Sequence, residues 1–152
     1  MCGIIGYNGS AKNAKEAIIA GLKNLEYRGY DSAGIALVEN KKVDLYKSQG
    51  KISKLEDSLK DINTNSNIGI GHTRWATHGI PNEINAHPHK VGKVTLVHNG
   101  IIENYAILKN ELISKGVTFK TQTDSEVACA YINYMYEKEL ENNSETPELT
   151  AI

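Results

Sequence analysis

The first seven residues constrain this chain most, because an apolar run, Gly3-Ile4-Ile5-Gly6-Tyr7, follows Met1-Cys2 directly. The run is short and is followed by Asn8-Gly9-Ser10, which predicts a buried strand ending in a turn. A small side chain in second position generally allows the initiator methionine to be removed. Cys2 would then carry both a thiol and a free α-amine, and such an amine can accept the thiol proton near neutral pH. The alternative is that Cys2 is a small hydrophobic residue at the start of the strand.

The composition is that of one globular domain, with 152 residues of which 40% are hydrophobic and 23% charged. Seventeen basic and eighteen acidic side chains leave a formal charge of −1, which gives no electrostatic basis for binding nucleic acid or a membrane surface. No apolar stretch approaches the ~20 residues of a membrane span, and the N-terminus lacks a signal-peptide profile. The two cysteines, Cys2 and Cys129, are far apart, which predicts neither a disulfide framework nor a thiolate zinc site. We therefore expect a cytoplasmic protein in which Cys129 is an inert, packed thiol.

Hydrophobic periodicity predicts alternating helices and strands after the first strand. Helices are predicted from Ala11 to about Tyr27, over Ile52–Ile62, over Ile101–Lys115, and from Thr123, where Thr-Asp-Ser-Glu has capping-box spacing. Strands are predicted at Ala33–Val38 and Val43–Ser48 as a hairpin, and at Ile68–His72, Val94–His98 and Val117–Thr121. The connection between the strands at 68–72 and 94–98 is long and rich in His, Asn, Pro and Gly, which is typical of a functional loop.

The last residues have the pattern of a helix start. Thr146-Pro147-Glu148 combines a capping residue, a proline in the first helical position and an acid in the first turn. Leu149, Ala151 and Ile152 begin an apolar pattern, and the sequence ends there. A helix start without a helix body predicts that the chain is a fragment.

The long loop begins with a segment, residues 71–79, that offers candidates for ligand binding. Arg74 could bind a carboxylate through a planar two-point contact that a lysine cannot reproduce, or it could be an exposed loop arginine. Trp75, the only tryptophan, could cover a small ligand or pack in the core. The local sequence does not decide between these alternatives.

Asn99-Gly100 and Asp124 each have a functional and a structural interpretation. Asn99-Gly100 is a strong hairpin-turn signal, but a helical pattern follows it, and a strand-to-helix junction with an amide side chain suits an oxyanion hole. Asp124 could bind an ammonium group, or it could stabilise the first turn of a helix through the helix dipole.

Five histidines lie in one region of the sequence: His72, His78, His87, His89 and His98. Imidazole is a common metal ligand, so a zinc site is one interpretation. No cysteine lies nearby, and the intervals match neither HExxH nor a two-by-two zinc pattern. The sequence therefore predicts no metal and no cofactor.

Six segments together carry a resemblance to a known family. In chain order they are Cys2-Gly3-Ile4-Ile5-Gly6, residues 25–34 (Leu-Glu-Tyr-Arg-Gly-Tyr-Asp-Ser-Ala-Gly), residues 71–79, Asn85-Ala86-His87-Pro88-His89, residues 98–104 (His-Asn-Gly-Ile-Ile-Glu-Asn) and Thr123-Asp124-Ser125-Glu126. This ordered set resembles the N-terminal glutaminase domain of the class II glutamine amidotransferases. Within that class it is most similar to the glutamine–fructose-6-phosphate aminotransferases, which make glucosamine 6-phosphate.

The resemblance implies a role for each candidate residue. Cys2 would attack the side-chain amide of glutamine, with its own α-amine as the base. Asn99, through its side chain, and Gly100, through its backbone N–H, would stabilise the oxyanion. The remaining roles are binding of the α-carboxylate by Arg74 with Thr77 and His78, binding of the α-ammonium by Asp124, closure over the substrate by Trp75, and support of the nucleophile by Arg28.

The resemblance also implies a fold and an extent. The family has the N-terminal nucleophile (Ntn) hydrolase fold, an α+β class in which two face-to-face sheets lie between helices in four layers. Residues 1–152 would form a type-2 glutamine amidotransferase domain that is incomplete at its C-terminus. Relatives continue into a sugar-isomerase domain that receives ammonia and binds fructose 6-phosphate, and the full-length enzyme is expected to be a homo-oligomer. This chain alone would only hydrolyse glutamine to glutamate and ammonia.

Three alternatives remain open at the level of sequence. The chain could be the glutaminase domain of another class II enzyme such as an amidophosphoribosyltransferase, although those look different at residues 26–31 and 74–79. It could be an Ntn hydrolase acting on another amide. It could also be a non-catalytic metal-binding module built on the histidine-rich loop.

Overall fold

The first sheet has four strands and contains the N-terminal strand predicted above. A computed structural model describes residues 1–76, 79–142 and 145–146 of the chain. Strands β1 (Gly3–Asn8), β2 (Ser32–Glu39), β3 (Lys42–Gln49) and β4 (Ile68–Arg74) are antiparallel in the order β1-β4-β2-β3. The predicted first strand and hairpin are confirmed. The register pairs Gly3 with Thr73 and Ser32 with Arg74, so the start of β1 lies beside the end of β4.

Two helices cover one face of this sheet. Helix α1 (Ala14–Leu25) is followed by a 3₁₀ turn at Glu26–Arg28, and helix α2 (Ile52–Ser58) follows β3. The apolar stripe of α1 packs on the sheet because its residues recur at helical spacing. A Cβ on Gly71 would meet the side chains of Ile18 and Leu22, so only a residue without a side chain lets α1 approach β4 this closely. This core consists of Ala14, Ile18, Ile19, Leu22, Ala33, Ile35, Leu37, Ile52, Leu55 and Leu59.

The second sheet is smaller and carries its own helices. Strands β5 (His89–Val91) and β6 (Val94–Leu96) form an antiparallel pair, against which α4 (Asp124–Glu141) packs, with α3 (Tyr105–Ser114) on α4. Leu112, Val127 and Ala130 form the centre of this second core.

The two halves meet on the face of the first sheet opposite α1. Successive residues of a strand point to opposite faces, so His72 projects away from the helix that Gly71 contacts. There the His72 ring stacks on His87, with centroids 4.2 Å apart. A Cβ on Gly34 would collide with the carbonyl oxygen of His87, so the backbones touch directly at that point. The layers therefore run helix, sheet, sheet, helix, as the predicted α+β class requires.

The structure corrects the elements predicted between β4 and α4. The strand predicted at Val117–Thr121 is wrong, since this segment pairs with no strand in the described part of the chain. Its Lys120 and Thr121 N–H groups donate instead to the Glu126 carboxylate at 2.9 and 2.7 Å. The short strand β5 was not predicted, because its sequence, His-Lys-Val, contains a single apolar residue. Helix α3 begins at Tyr105 rather than Ile101, and the preceding turn is bound at the Ile102 N–H by Asp124.

The remaining predictions concern the ends of the chain and the membrane. Helix α1 begins at Ala14, three residues after the predicted start. The helix start predicted at Thr146-Pro147-Glu148 falls mainly on residues 147–152, outside the described residues. Within the described ranges, no helix is long and apolar enough to cross a membrane.

Candidate active site

Cys2 lies at the mouth of a cavity where β1 begins and β4 ends. The cavity has a volume of about 400 Å³. Six of the predicted site residues line it: Cys2, Arg74, Trp75, Asn99, Gly100 and Asp124. The other residues that line the cavity are Met1, His72, His87, His98, Ile101, Thr123 and Ser125. Residues from both halves of the chain therefore surround one space.

The Cys2 thiol contacts the backbone of the long loop. The Trp75 N–H donates to Sγ at 3.3 Å, and Sγ lies 3.7 Å from the Trp75 carbonyl oxygen. The adjacent Gly3 N–H donates to Thr73 Oγ1 at 3.0 Å, which fixes the start of β1 on β4. These contacts hold the sulfur between the start of β1 and the end of β4.

Arg74 is buried at the end of β4, with 4% of its surface exposed. Its guanidinium donates to the Ile80 carbonyl at 3.3 Å and to the Gly79 carbonyl at 3.4 Å. Burial lowers the pKa of Arg74 below its ordinary value, and the acidic groups of Asp31 and Asp124 act in the opposite direction. An arginine stays charged in such surroundings, so the cavity contains a permanent cation that can bind a carboxylate.

Asp124 is distant from Arg74 in sequence but lines the same cavity. It is also buried, with 6% of its surface exposed. It is the first residue of α4, where Thr123 caps the helix by accepting from the Glu126 N–H at 3.2 Å. The capping box is only half formed, because the Glu126 carboxylate binds Lys120 and Thr121 instead. Asp124 Oδ2 accepts from the Ile102 N–H at 2.8 Å.

A short chain of hydrogen bonds orients the other oxygen of Asp124. The Ser125 hydroxyl donates to Asp124 Oδ1 at 3.4 Å and lies 3.0 Å from His98 Nδ1. The Ser125 hydroxyl therefore lies between the His98 ring and the Asp124 carboxylate and contacts both. Ser125 was not singled out from the sequence, and His98 was named there only as a possible metal ligand, although both lie in the segments that carry the resemblance.

Asn99 and Gly100 follow β6 and reach the first residues of the chain. Asn99 Nδ2 donates to the Cys2 carbonyl at 3.2 Å, which places the amide beside the nucleophile. A Cβ on Gly100 would lie 2.9 Å from His98 Nε2, so a side chain at position 100 would require His98 to move. The hairpin-turn interpretation of Asn99-Gly100 is wrong, because the next element is helix α3.

Trp75 and Arg28 lie at the rim. Trp75 is half exposed and meets Tyr30 edge-on, with ring centroids 6.5 Å apart, so it is not a core residue. The Arg28 carbonyl accepts from the Met1 amine at 2.6 Å. Asp31 Oδ2 accepts from the Ala76 N–H at 2.8 Å and so fixes the start of the loop. Thr77 and His78, which were predicted to assist Arg74, lie outside the described residues.

His72, His87 and His89 form a packed, neutral cluster between the sheets. The backbone N–H of His98 donates to His87 Nδ1 at 3.3 Å, so that ring nitrogen is unprotonated. His72 Nε2 donates to the backbone carbonyl of His98 at 3.1 Å. Burial lowers the pKa of His72 to about 4 and that of His89 to about 3. In residues 1–76, 79–142 and 145–146, no group of three or more His, Cys, Asp or Glu side chains is placed to hold a metal ion.

Cys129 is buried in α4, as predicted for a packed thiol. Its sulfur contacts the carbonyls of His89 at 3.6 Å and Val94 at 3.5 Å. Burial raises the pKa of the thiol to about 11, which leaves it protonated at neutral pH. The two cysteines are therefore in opposite environments, one at a cavity and one in the core.

Comparison with known proteins extends the resemblance stated above. The chain is 53% identical over 150 residues to the glutamine–fructose-6-phosphate aminotransferase [isomerizing] of Thermococcus kodakarensis, which covers 97% of this chain and 24% of that protein. The enzyme of the same name from Pyrococcus horikoshii is 57% identical over 129 residues, 84% of this chain and 21% of that protein. The chain thus spans about a quarter of the length of the relatives it matches.

Solved structures with the same fold are more distant in sequence. The glutamine phosphoribosylpyrophosphate amidotransferase from B. subtilis, complexed with ADP and GMP, is 28% identical with a TM-score of 0.73, covering 88% of this chain and 29% of that one. A second structure, of the allosteric regulatory enzyme of purine biosynthesis, is 27% identical with a TM-score of 0.75, covering 91% and 30%. The predicted Ntn amidotransferase fold is confirmed.

The family itself is defined by a domain profile. The profile described as "Glutamine amidotransferase domain" matches residues 38–143, which is most of the chain. Sequence identity within that family is far higher to the fructose-6-phosphate enzymes than to the phosphoribosylpyrophosphate enzymes. The chain belongs to the glutamine amidotransferase domain family.

Proposed function

We propose that this chain hydrolyses the side-chain amide of free glutamine to glutamate and ammonia, with Cys2 as the nucleophile. The observation that carries the proposal is the composition of one cavity. A cysteine thiol, an amide and glycine pair, and two buried side chains of opposite charge, Arg74 and Asp124, all line it. Few substrates other than an amino acid with a side-chain amide need all of these groups.

Arg74 and Asp124 bind the two charged ends of glutamine. The guanidinium takes the α-carboxylate and the Asp124 carboxylate takes the α-ammonium, which leaves the amide directed at the thiol. Both side chains are almost fully buried, so their interactions with the substrate are little screened by water. Thr77 and His78 assist Arg74, and Trp75 closes over the bound substrate.

The reaction begins once Met1 has been removed and Cys2 carries the α-amine. The amine accepts the thiol proton, and the sulfur attacks the amide carbon to form a tetrahedral oxyanion. The Asn99 side chain and the Gly100 N–H stabilise that oxyanion. Collapse breaks the C–N bond, the ammonium of Cys2 returns its proton to the leaving nitrogen, and ammonia departs from a thioester. Water then attacks the thioester, glutamate is released and the thiol is restored. Arg28, in the 3₁₀ turn whose carbonyl meets Met1, supports the nucleophile from that side of the site.

The role of the chain in a larger enzyme follows from its relatives. Residues 1–152 act as the type-2 glutamine amidotransferase domain of a glutamine–fructose-6-phosphate aminotransferase. The ammonia then passes to fructose 6-phosphate on an isomerase domain, and the whole enzyme is a cytoplasmic homo-oligomer. The chain is 53% identical to a protein of that name and 28% identical to a phosphoribosylpyrophosphate amidotransferase, which supports this assignment over the alternative.

The two cysteines provide a matched test. We expect Cys2→Ser to lower glutamate formation by at least about a hundredfold, because the nucleophile is lost. Cys129→Ser should leave the rate within about threefold, since that thiol is buried away from the cavity. Activity is measured as glutamate released from glutamine, and intact mass shows whether Met1 has been removed.

Two results would contradict the proposal. One is equal loss of activity in both cysteine variants, which would assign the wrong thiol. The other is equal hydrolysis of glutamine and N-acetylglutamine, which would mean that Asp124 does not bind a free ammonium.

A further inference from the structure

One buried side chain, that of Asn85, joins two loops that are distant in sequence. It is 1% exposed. Its Nδ2 donates to the Ile80 carbonyl at 3.0 Å and to Gln122 Oε1 at 3.2 Å, and its Oδ1 accepts from the Gln122 N–H at 2.9 Å. The amide therefore connects the loop after β4 with the turn before α4.

The first end of this connection leads to Arg74. The Ile80 carbonyl that accepts from Asn85 also accepts from Arg74 Nη1, at 3.3 Å. Arg74 Nη2 donates to the adjacent Gly79 carbonyl. Since Arg74 and Asn85 share an acceptor, the position of the guanidinium depends on where Asn85 holds the 79–80 backbone.

The second end leads to Asp124. Gln122 lies two residues before Asp124, and the intervening Thr123 caps the helix that Asp124 begins. Gln122 Oε1 also accepts from the Ile80 N–H at 3.4 Å, so the two loops are bound by backbone and side chain alike. Asn85 thus lies between the segments that carry the buried cation and the buried anion of the cavity.

Close packing leaves little freedom at this junction. Gly79 has a φ of +75°, in the left-handed region, and a Cβ there would lie 3.0 Å from Asn85 Nδ2 and 3.1 Å from Gln122 Cβ. A fully buried amide with three hydrogen bonds is costly to displace, because each group bonded to it would lose its hydrogen bond without gaining one to water.

We propose that Asn85 is a positioning residue that sets the spacing of Arg74 and Asp124, and so makes the cavity selective for an α-amino acid. The inference rests on the proposed function, in which these two side chains bind the carboxylate and the ammonium of glutamine. Asn85 itself does not touch the substrate. Its effect is confined to ligands that need both charged groups at once.

The test compares three amides that differ only in their charged groups. Glutamine has both the carboxylate and the ammonium, glutaramate lacks the ammonium, and 4-aminobutanamide lacks the carboxylate. In Asn85→Ala we expect kcat/KM for glutamine to fall at least tenfold. The values for the two analogues should fall less than threefold, because each uses only one of the two binding residues.

Two further variants keep the test interpretable. Asn82→Ala is the matched control, because Asn82 Oδ1 accepts from the Asn85 N–H in the same loop but binds neither Arg74 nor Gln122. Asn82→Ala should change kcat/KM for all three amides equally and by less than threefold. Gln122→Met removes Oε1 while keeping the backbone N–H and the side-chain volume. It should reduce glutamine selectivity about threefold even if Asn85→Ala does not fold.

The outcomes separate this inference from the proposed function. An equal loss for all three amides in both Asn85→Ala and Gln122→Met would mean a general structural role and would overturn the inference. Unchanged selectivity in the two folded variants would overturn it as well. If the unaltered chain, with Met1 removed, releases no glutamate from glutamine, the proposed function fails first.

Discussion

At the scale of the residue, charge and burial combine at Arg74. A guanidinium that is nearly inaccessible to water, with two backbone carbonyls as partners, has a fixed plane and a fixed direction. A carboxylate bound to it is met by two parallel N–H groups, which an ammonium cannot offer. The shape of the side chain therefore matters as much as its charge.

Arg74→Lys tests that distinction. We expect KM for glutamine to rise about 10–100-fold, because a lysine keeps the charge but loses the second N–H contact to the carboxylate, worth about 1.5–3 kcal/mol. The value for 4-aminobutanamide, which has no carboxylate, should change less than threefold. Steady-state kinetics with the two substrates measure both, and a KM for glutamine within threefold of the original would exclude Arg74 as the carboxylate ligand.

At the scale of the element, the hairpin of β2 and β3 shows how local sequence fixes register. Glu39 pairs with Lys42, so the loop is Asn40-Lys41, and both residues have positive φ, 51° and 62°. Two positive φ values define the type I′ turn, whose twist matches that of the strands. Asparagine tolerates this conformation, whereas a lysine is strained in it.

Lys41→Gly should therefore stabilise the protein. We expect the free energy of unfolding to increase by about 0.5–1 kcal/mol, because glycine adopts a positive φ without steric cost. Lys42→Gly, one residue further and within the strand, should instead be destabilising. Urea denaturation of the two variants measures the difference, and a loss of stability in both would contradict the role given to the turn.

Element prediction succeeded where a local pattern is sufficient and failed where tertiary partners decide. The α1 stripe and the β2–β3 hairpin are visible in the sequence because their periods are long enough to recognise. The segment 117–121 alternates like a strand, yet its N–H groups bind Glu126, a partner that only the folded chain provides. The start of α3 depends in the same way on the bond from Ile102 to Asp124.

At the scale of the whole molecule, the interface between the two sheets is a set of neutral imidazoles. Burial, together with the positive charges of neighbouring groups, holds the pKa of His72 and His89 near 4 and 3, and that of His87 well below its usual range. In the folded state each imidazole therefore stays neutral until the pH falls to its own lowered pKa. In the unfolded chain they bind protons below about pH 6.5.

Stability should consequently fall as the pH decreases below 6.5. The unfolded state then binds more protons than the folded state, so the free energy of unfolding decreases until the folded pKa values are reached. At pH 5 we expect a loss of about 2 kcal/mol or more relative to pH 7.5. Urea midpoints at the two pH values measure it, and His72→Gln should reduce the slope. An unchanged midpoint would mean that the cluster takes up protons without unfolding.

The members of the candidate site could be named from the sequence, but their arrangement could not. Cys2, Asn99 and Asp124 are separated by long stretches of chain, and only the pairing of β1 with β4 and the stacking of the two halves bring them to one cavity. Asn85 escaped attention as a single residue because its hydrogen bonds to Gln122 form only in the folded chain. Its one sequence signal was membership of the segment at 85–89.

The contact between Gly34 and the carbonyl of His87 limits how closely the two halves of the chain pack. One wall comes with the first sheet, which carries Cys2 and Arg74, and the other comes with the second half, which carries Asn99 and Asp124. At this contact the two backbones meet directly, so no side chain between them could move aside to make room for a larger residue. Even one methyl group at position 34 would act as a wedge, moving the sulfur away from the amide that faces it while leaving every reactive group chemically intact.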